Sequence, residues 1–199
     1  MFTGIVETTG TIEEIIQAGG NLTFIISSSI SNEFKADQSV MHNGVCLTVE
    51  ENGKNGRHRV TAIQETLEKT MLSDCTPGEI LNLERSMKSD GRIDGHFVQG
   101  HVDACGTVSS IVDLDGSREY HIEFQEEYEN LIVPQGSICM NGISLTVSSS
   151  NPERHLFGVS IIPFTMEVTN LKNLREGNRV NLEFDIIGKY INKIMGKYA

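Results

Sequence analysis

Residues 39–49, SVMHNGVCLTV, return at 137–147 as SICMNGISLTV, with 6 of 11 positions identical. Three more blocks repeat in the same order. VTAIQETLEKTML at 60–72 matches VSIIPFTMEVTNL at 159–171, GEILNLE at 78–84 matches GNRVNLE at 177–183, and GIVETTGTI at 4–12 matches GHVDACGTV at 100–108. Together 20 of 40 aligned positions are identical, where composition alone gives roughly 2 or 3. Shared order and a near-constant offset make this an internal duplication. A tandem pair is too short for a solenoid, whose repeats bury their faces only by stacking several deep. Each copy therefore has to close its own core. The expected organisation is one domain over 1–92 and a second over 93–186, joined near Lys88-Ser89-Asp90-Gly91.

Within each copy the pattern is β. Asn21–Ile26, Val45–Val49, Arg59–Ile63 and Ile80–Leu83 are short runs rich in Val, Ile, Leu and Thr. Asn43-Gly44, Asn52-Gly53, Asn141-Gly142 and Gly19-Gly20 punctuate them as hairpin turns do. Short strands at this density predict a small antiparallel barrel or sandwich per copy. Glu65–Leu72 and its copy Phe164–Leu171 read as short helices. A segment over 187–199 has no counterpart in the first copy. There Ile187, Ile191, Ile194 and Met195 fall on one helical face, and Lys189, Lys193 and Lys197 form a polar stripe. Both cores are complete without this helix, so its apolar face needs another surface, and a second subunit is the expected one.

The chain has 199 residues, with 16 Lys+Arg against 27 Asp+Glu for a net charge of −11. That balance opposes a nucleic-acid or anionic-membrane surface. No run approaches the length of a membrane-spanning helix, and Met1-Phe2-Thr3-Gly4-Ile5-Val6-Glu7 lacks the basic and apolar regions of a signal peptide. A cytoplasmic location is expected. Cys46, Cys75, Cys105 and Cys139 are scattered with no CxxC pair, which predicts reduced thiols and no metal site.

The duplication also shows where to look for chemistry. Cys46 of the first copy stands where Ser144 stands in the second, each followed by Leu-Thr. No GxSxG elbow surrounds Ser144, so a serine hydrolase is not indicated. A small polar group bonding a flat heterocycle suits the pair, as does a purely structural role in a turn. Thr61 to Thr66 against Ser160 to Thr165 is an extended run entering a helix, able to offer main-chain groups to the imide edge of a pyrimidine-like ring. His96 and His101 bracket the connection between the copies in GHFVQGH. P-loop, GxGxxG and helix-turn-helix signals are absent.

The opening MFTGIVE, then VMHNGVCLTV, GRIDGHFVQGHVD, NGISLTV, IIPFTMEVTNL and VNLEFDIIGKY, together resemble the riboflavin synthase α-chain family in order, from residue 1 to about 191. The resemblance implies an all-β chain of two tandem six-stranded Greek-key barrels plus a C-terminal α-helix, over 187–199, through which homotrimers form. It implies a transferase that converts two molecules of 6,7-dimethyl-8-ribityllumazine into riboflavin and 5-amino-6-(D-ribitylamino)uracil, the last step of riboflavin biosynthesis. A four-carbon unit passes between the two lumazines, with no cofactor. Sites lie between subunits, and lumazine synthase is a candidate partner.

Carried over by position, the first barrel's pocket would use Ser39, Cys46, Leu47, Thr48, Thr61, Ala62, Ile63, Gln64, Glu65 and Thr66, with Gly100, His101 and Val102 from the linker. The second would use Gly4, Ile5, Val6, Ser144, Leu145, Thr146, Ser160, Ile161, Ile162, Pro163, Phe164 and Thr165. The resemblance gives Cys46, His101, Ser144 and Asp185 the catalytic roles, with His96 behind them. Two departures stand out: Gln135 replaces a Lys common in the family, and Asn141 replaces a common Asp, restoring symmetry with Asn43. The alternative is a non-catalytic lumazine- or flavin-binding fluorescent protein of the same fold. Such proteins lose polar catalytic residues in the second half, whereas Ser144, His96 and Asp185 persist here. A reductase's flavin domain would need a second nucleotide domain, for which no residues remain.

Overall fold

The computed structural model describes residues 1–196. Lys197 and the end of the predicted 187–199 helical segment lie outside the described residues. The first copy folds into six strands: β1 (Thr8–Ala18), β2 (Asn21–Ser28), β3 (Ser39–His42), β4 (Val45–Thr48), β5 (Arg57–Ala62) and β6 (Ile80–Arg85). The second repeats them as β7 (Ala104–Leu114), β8 (Ser117–Glu123), β9 (Ser137–Met140), β10 (Ile143–Asn151), β11 (Leu156–Ile161) and β12 (Arg179–Phe184). Strand order is β4-β3-β6-β1-β2-β5 in the first and β10-β11-β8-β7-β12-β9 in the second, which closes as a barrel. These are the same order in corresponding strands. They differ at one seam. The nine-residue β10 pairs with β11, whereas the four-residue β4 ends early and the first sheet's seam is bridged at Val49 and Val60.

Alternation along the strands builds each core. In β5 His58, Val60 and Ala62 point inward while Arg57 and Arg59 face water, the period of two that a half-buried strand requires. Two apolar clusters result, one around Phe24, Ile26, Val60 and Leu83, the other around Tyr120, Ile122, Phe157 and Leu182. The strands β6 and β12 break the alternation. Leu81 and Leu83 fill the first core, yet Asn82 and Glu84 on the opposite face are also buried, and Asn181 and Glu183 of β12 match them. Both faces are covered because the second face of each strand packs against the opposite barrel and its connecting segments, where Asn82 Nδ2 donates to the Asn141 carbonyl at 2.9 Å and Asn181 Nδ2 donates to the Asn43 carbonyl at 2.7 Å.

Three sequence expectations need correction. Asn52-Gly53 is not a hairpin turn. The turn is Asn55-Gly56, both at positive φ inside the Lys54–Arg57 bridge, while a Cβ on Gly53 would collide with the Ser31 carbonyl oxygen. The helix expected over 65–72 is the six-residue α1 (Gln64–Lys69) followed by a 3₁₀ turn at Met71–Asp74. Extended Thr70 interrupts it, donating to the Thr66 carbonyl at 2.8 Å and accepting from Leu72 N–H, the side-chain competition that ends helices. Thr169 does the same after α2 (Pro163–Val168). In α3 (Ile186–Ile194) the stripe is not uniformly solvated: Lys189 turns onto the barrel and donates to Asp103 Oδ1 at 2.7 Å.

Candidate active site

Two non-strand segments run side by side between the barrels: the N-terminus, residues 1–6, and the linker, residues 95–102. Phe2 and Val98 exchange backbone hydrogen bonds of 2.7 and 3.1 Å, and His96 N–H donates to the Thr3 carbonyl at 3.1 Å. Phe2, Val98, Met41 and Cys139 form a small buried cluster beneath them, with Cys46 packed against it. Each segment then crosses to one barrel. The Gly4 carbonyl accepts from Ser144 N–H at 2.8 Å, and the Gly100 carbonyl accepts from Cys46 N–H at 2.8 Å. These duplicated glycines are required. Their φ values are +75° and +80°, and a Cβ would lie 2.7 Å from Ser144 and 2.5 Å from Cys46.

The sequence thus places Gly4, Ile5 and Val6 beside Ser144 in the second barrel, and Gly100, His101 and Val102 beside Cys46 in the first. Val6 and Val102 pack against the barrel cores; Ile5 and His101 are exposed. Ser39 begins β3 and Thr48 ends β4, while Thr146 lies within β10, paired with Ser137. Ile63, Gln64 and Glu65, with Ile162, Pro163 and Phe164, form exposed rims at the starts of α1 and α2, and Ser160 is exposed beside them. Thr66 and Thr165 are half-buried, and Leu145 is partly buried against the core. Leu47, Ala62 and Ile161 turn their side chains into the barrel cores, at 6%, 0% and 1% exposure, so a ligand could meet only their main chain. Thr61 is hydrogen-bonded to Thr23 at 2.7 Å. Gln135 is exposed at φ +64° in the turn before β9.

The two sites differ chemically. Beside Ser144, the hydroxyl and His96 Nδ1 are 2.7 Å apart. Burial pulls His96 below the usual histidine range, and the Asp185 carboxylate nearby pushes it back up. Asp185 also caps α3, accepting from Ile187 N–H at 2.9 Å. A neutral imidazole touching a hydroxyl, with a carboxylate close enough to stabilise its protonated form, is the arrangement a general base needs. The equivalent place in the first barrel holds the half-buried thiol of Cys46, with His101 attached through the linker backbone. His96, ranked behind His101 on sequence, is the histidine in contact with Ser144.

Glu84 and Glu183 escaped the sequence reading. Each is buried and accepts three hydrogen bonds: Glu84 from Thr3 N–H, Thr3 Oγ1 and Gly4 N–H at 2.7–3.0 Å, Glu183 from Gln99, Gly100 and His101 N–H at 2.6–2.9 Å. Burial raises both carboxyls above their usual range, while the N–H donors pull them down. The signal was present in the repeated Asn-Leu-Glu of both copies, where alternate polar residues read equally well as a solvated strand face.

A family model described as the lumazine binding domain matches the sequence twice, over residues 3–86 and 99–185. Riboflavin synthase of Bacillus subtilis (strain 168) is 37% identical over 198 residues, covering 99% of this chain and 91% of that one. Riboflavin synthase of Mycobacterium bovis is 38% identical, covering 98% of each chain. That of the yeast Meyerozyma guilliermondii is 35% identical over 206 residues, covering 97% and 85%. Among solved structures, LumP complexed with riboflavin superimposes with a TM-score of 0.85 at 21% identity, covering 92% of this chain and 99% of that one, a likeness of fold.

Proposed function

From the premise that this chain belongs to the riboflavin synthase family, with two lumazine binding domains in tandem, we propose how its barrels divide the work. The chain is an enzyme that forms riboflavin from 6,7-dimethyl-8-ribityllumazine, and its near-full-length identity to riboflavin synthases carries that conclusion. One turnover consumes two lumazines, one giving a four-carbon unit and leaving as 5-amino-6-(D-ribitylamino)uracil, the other gaining it and leaving as riboflavin. Each barrel holds one ring, so two identical substrates meet unlike surroundings. Holding both in reacting geometry replaces an encounter in solution and supplies several kcal/mol.

The C7 methyl of the lumazine is acidified by the electron-poor ring, so a modest base removes its proton and the ring takes up the charge. His96 is that base in this reading: burial keeps it neutral, Ser144 orients it at 2.7 Å, and Asp185 stabilises the imidazolium. The anion attacks the second lumazine, activated by addition of a nucleophile at its C7, with Cys46 and His101 polarising the ring in the first barrel. The exposed apolar face of α3 supports a homotrimer whose reacting pair combines the first barrel of one subunit with the second of its neighbour. Four free cysteines support a reducing, cytoplasmic setting, and among the described residues no helix is long and apolar enough to cross a membrane. A lumazine synthase shell would supply substrate at the source.

Incubating the purified chain with the lumazine alone tests the reading. One riboflavin should appear for every two lumazines consumed. Binding with no product would favour a fluorophore carrier instead.

A further inference from the structure

The glutamates of β6 and β12 do not serve the barrels that carry them. Glu183 belongs to the second barrel, yet its oxygens hold Gln99, Gly100 and His101, and the Gly100 carbonyl meets Cys46 N–H in the first barrel. Glu84 belongs to the first barrel, yet it holds Thr3 and Gly4, and the Gly4 carbonyl meets Ser144 N–H in the second. We propose that Glu84 and Glu183 are crossed positioning residues, each fixing the lip of the lumazine site in the barrel opposite its own. The proposal rests on the reading of the Cys46 and Ser144 neighbourhoods as the two sites.

Three observations carry it. Every contact to the two carboxylates comes from an N–H or O–H donor, so only an ionised, acceptor-only group satisfies all of them. An amide of the same shape would turn its own N–H toward backbone N–H and release at least one. Both side chains are buried, at 4% and 2% exposure, and an ionised group in such a place is costly unless its bonds do something apolar packing cannot. Finally, the arrangement occurs twice, in strands related by the duplication, while the two lips it holds are hydrogen-bonded to each other through Phe2–Val98 and Thr3–His96.

The test uses the full-length protein with one reporter per site. Alkylation of Cys46 by iodoacetamide, read by peptide mass spectrometry, reports the first lip; NMR titration of the His96 ring reports the second. Glu183→Gln should speed Cys46 alkylation about ten-fold by freeing the loop above it and leave the His96 titration in place. Glu84→Gln should do the reverse, moving His96 up toward the ordinary histidine range as its cover loosens, with Cys46 alkylation unchanged. Riboflavin formation should fall at least about ten-fold in both. Should either amide variant not fold, Glu→Asp at the same position keeps the charge, shortens the reach and gives the same crossed pattern at smaller amplitude. An uncrossed pattern, equal disturbance of both reporters, or two silent reporters overturns the proposal. If the wild type makes no riboflavin while the crossed pattern stands, the lips are as described and the catalytic reading is what fails.

Discussion

Inside the first barrel His42 Nε2 and His58 Nε2 are 2.9 Å apart, with His42 Nδ1 3.0 Å from the Val40 carbonyl and His58 Nδ1 2.8 Å from Ser31 Oγ. The carbonyl can only accept, so His42 carries its proton on Nδ1 and His58 donates across the pair: both rings are neutral. Burial drives His42 well below the ordinary value and His58 down to about 4. The folded values lie below the unfolded one, so the unfolded chain binds protons first as pH falls. Stability complete above the unfolded value of about 6.5 is lost on the way down toward pH 4, on the order of 3 kcal/mol for His58 alone. The second barrel has Met140 and Phe157 at these register positions, opposite Leu182 and Ile122 as His42 and His58 stand opposite Leu83 and Ile26. Installing that pair, His42→Met with His58→Phe, should flatten the fall in denaturation midpoint between pH 7 and pH 4.5; an unchanged slope would place the acid sensitivity elsewhere. His96 has a matching signature in activity. As a base it works unprotonated, so kcat/KM should drop as pH falls through its lowered pKa. His96→Gln should cost about 10²-fold in kcat and abolish that acid limb; a variant that keeps the limb would move the base to another group.

At the scale of elements, α3 is fixed to the second barrel by its polar side. Asp185 caps it, Lys189 meets Asp103, and Asn192 Nδ2 reaches the Asn130 carbonyl at 3.2 Å. That leaves Ile191 and Ile194 outward at 53% and 82% exposure, with Tyr190 beside them. An amphipathic helix ordinarily turns its apolar face to its own core; here the reverse holds, which is why the proposed trimer uses it. Truncation after Phe184 should give monomers by sedimentation, with at least about ten-fold less activity because a reacting pair is no longer assembled; a fully active monomer would end the intersubunit model. The barrels were legible because Asn-Gly turns and period-two strands are local signals, and β2, β4, β5 and β6 lie within two residues of their predicted bounds. What was hidden was decided by neighbours distant in sequence. Asn52-Gly53 reads locally as a hairpin turn until Ser31 packs against Gly53. Glu84 and Glu183 look solvated until a second barrel covers them. Likewise nothing local ranks His96 over His101; the 2.7 Å contact with Ser144 does.

For the whole molecule, the two barrels meet about a pseudo-two-fold axis. The repeated Asn-Gly turns face each other closely: a Cβ on Gly142 would stand 2.8 Å from Gly44 N, and one on Gly44 would stand 3.1 Å from Gly142 N. Around that point Asn43 Oδ1 accepts from Asn82 N–H at 2.7 Å and Asn141 Oδ1 accepts from Asn181 N–H at 2.8 Å. The amides bend from perfect symmetry where Asn170 takes the place of Met71, donating to Asn43 Oδ1 at 3.0 Å. A cavity of about 600 Å³ opens beside this cluster, lined by Asn43, Asn141 and Asn170, and none of the expected site residues borders it. Buried amides prescribe one mutual orientation, since any rotation would strand their donors, and that orientation is what lets the N-terminus and linker reach opposite barrels. Gly142→Ala tests this. It carries the strain of φ +78° and a contact that must push the barrels apart, for a cost of about 3 kcal/mol. Gly116→Ala carries positive φ with open space around it, so it should pay backbone strain alone, about 1 kcal/mol. Urea denaturation gives both costs, and riboflavin formation should fall with Gly142→Ala but hold with Gly116→Ala. Equal costs and equal activities would mean that the turn-to-turn contact sets neither the docking of the barrels nor the geometry of the lips.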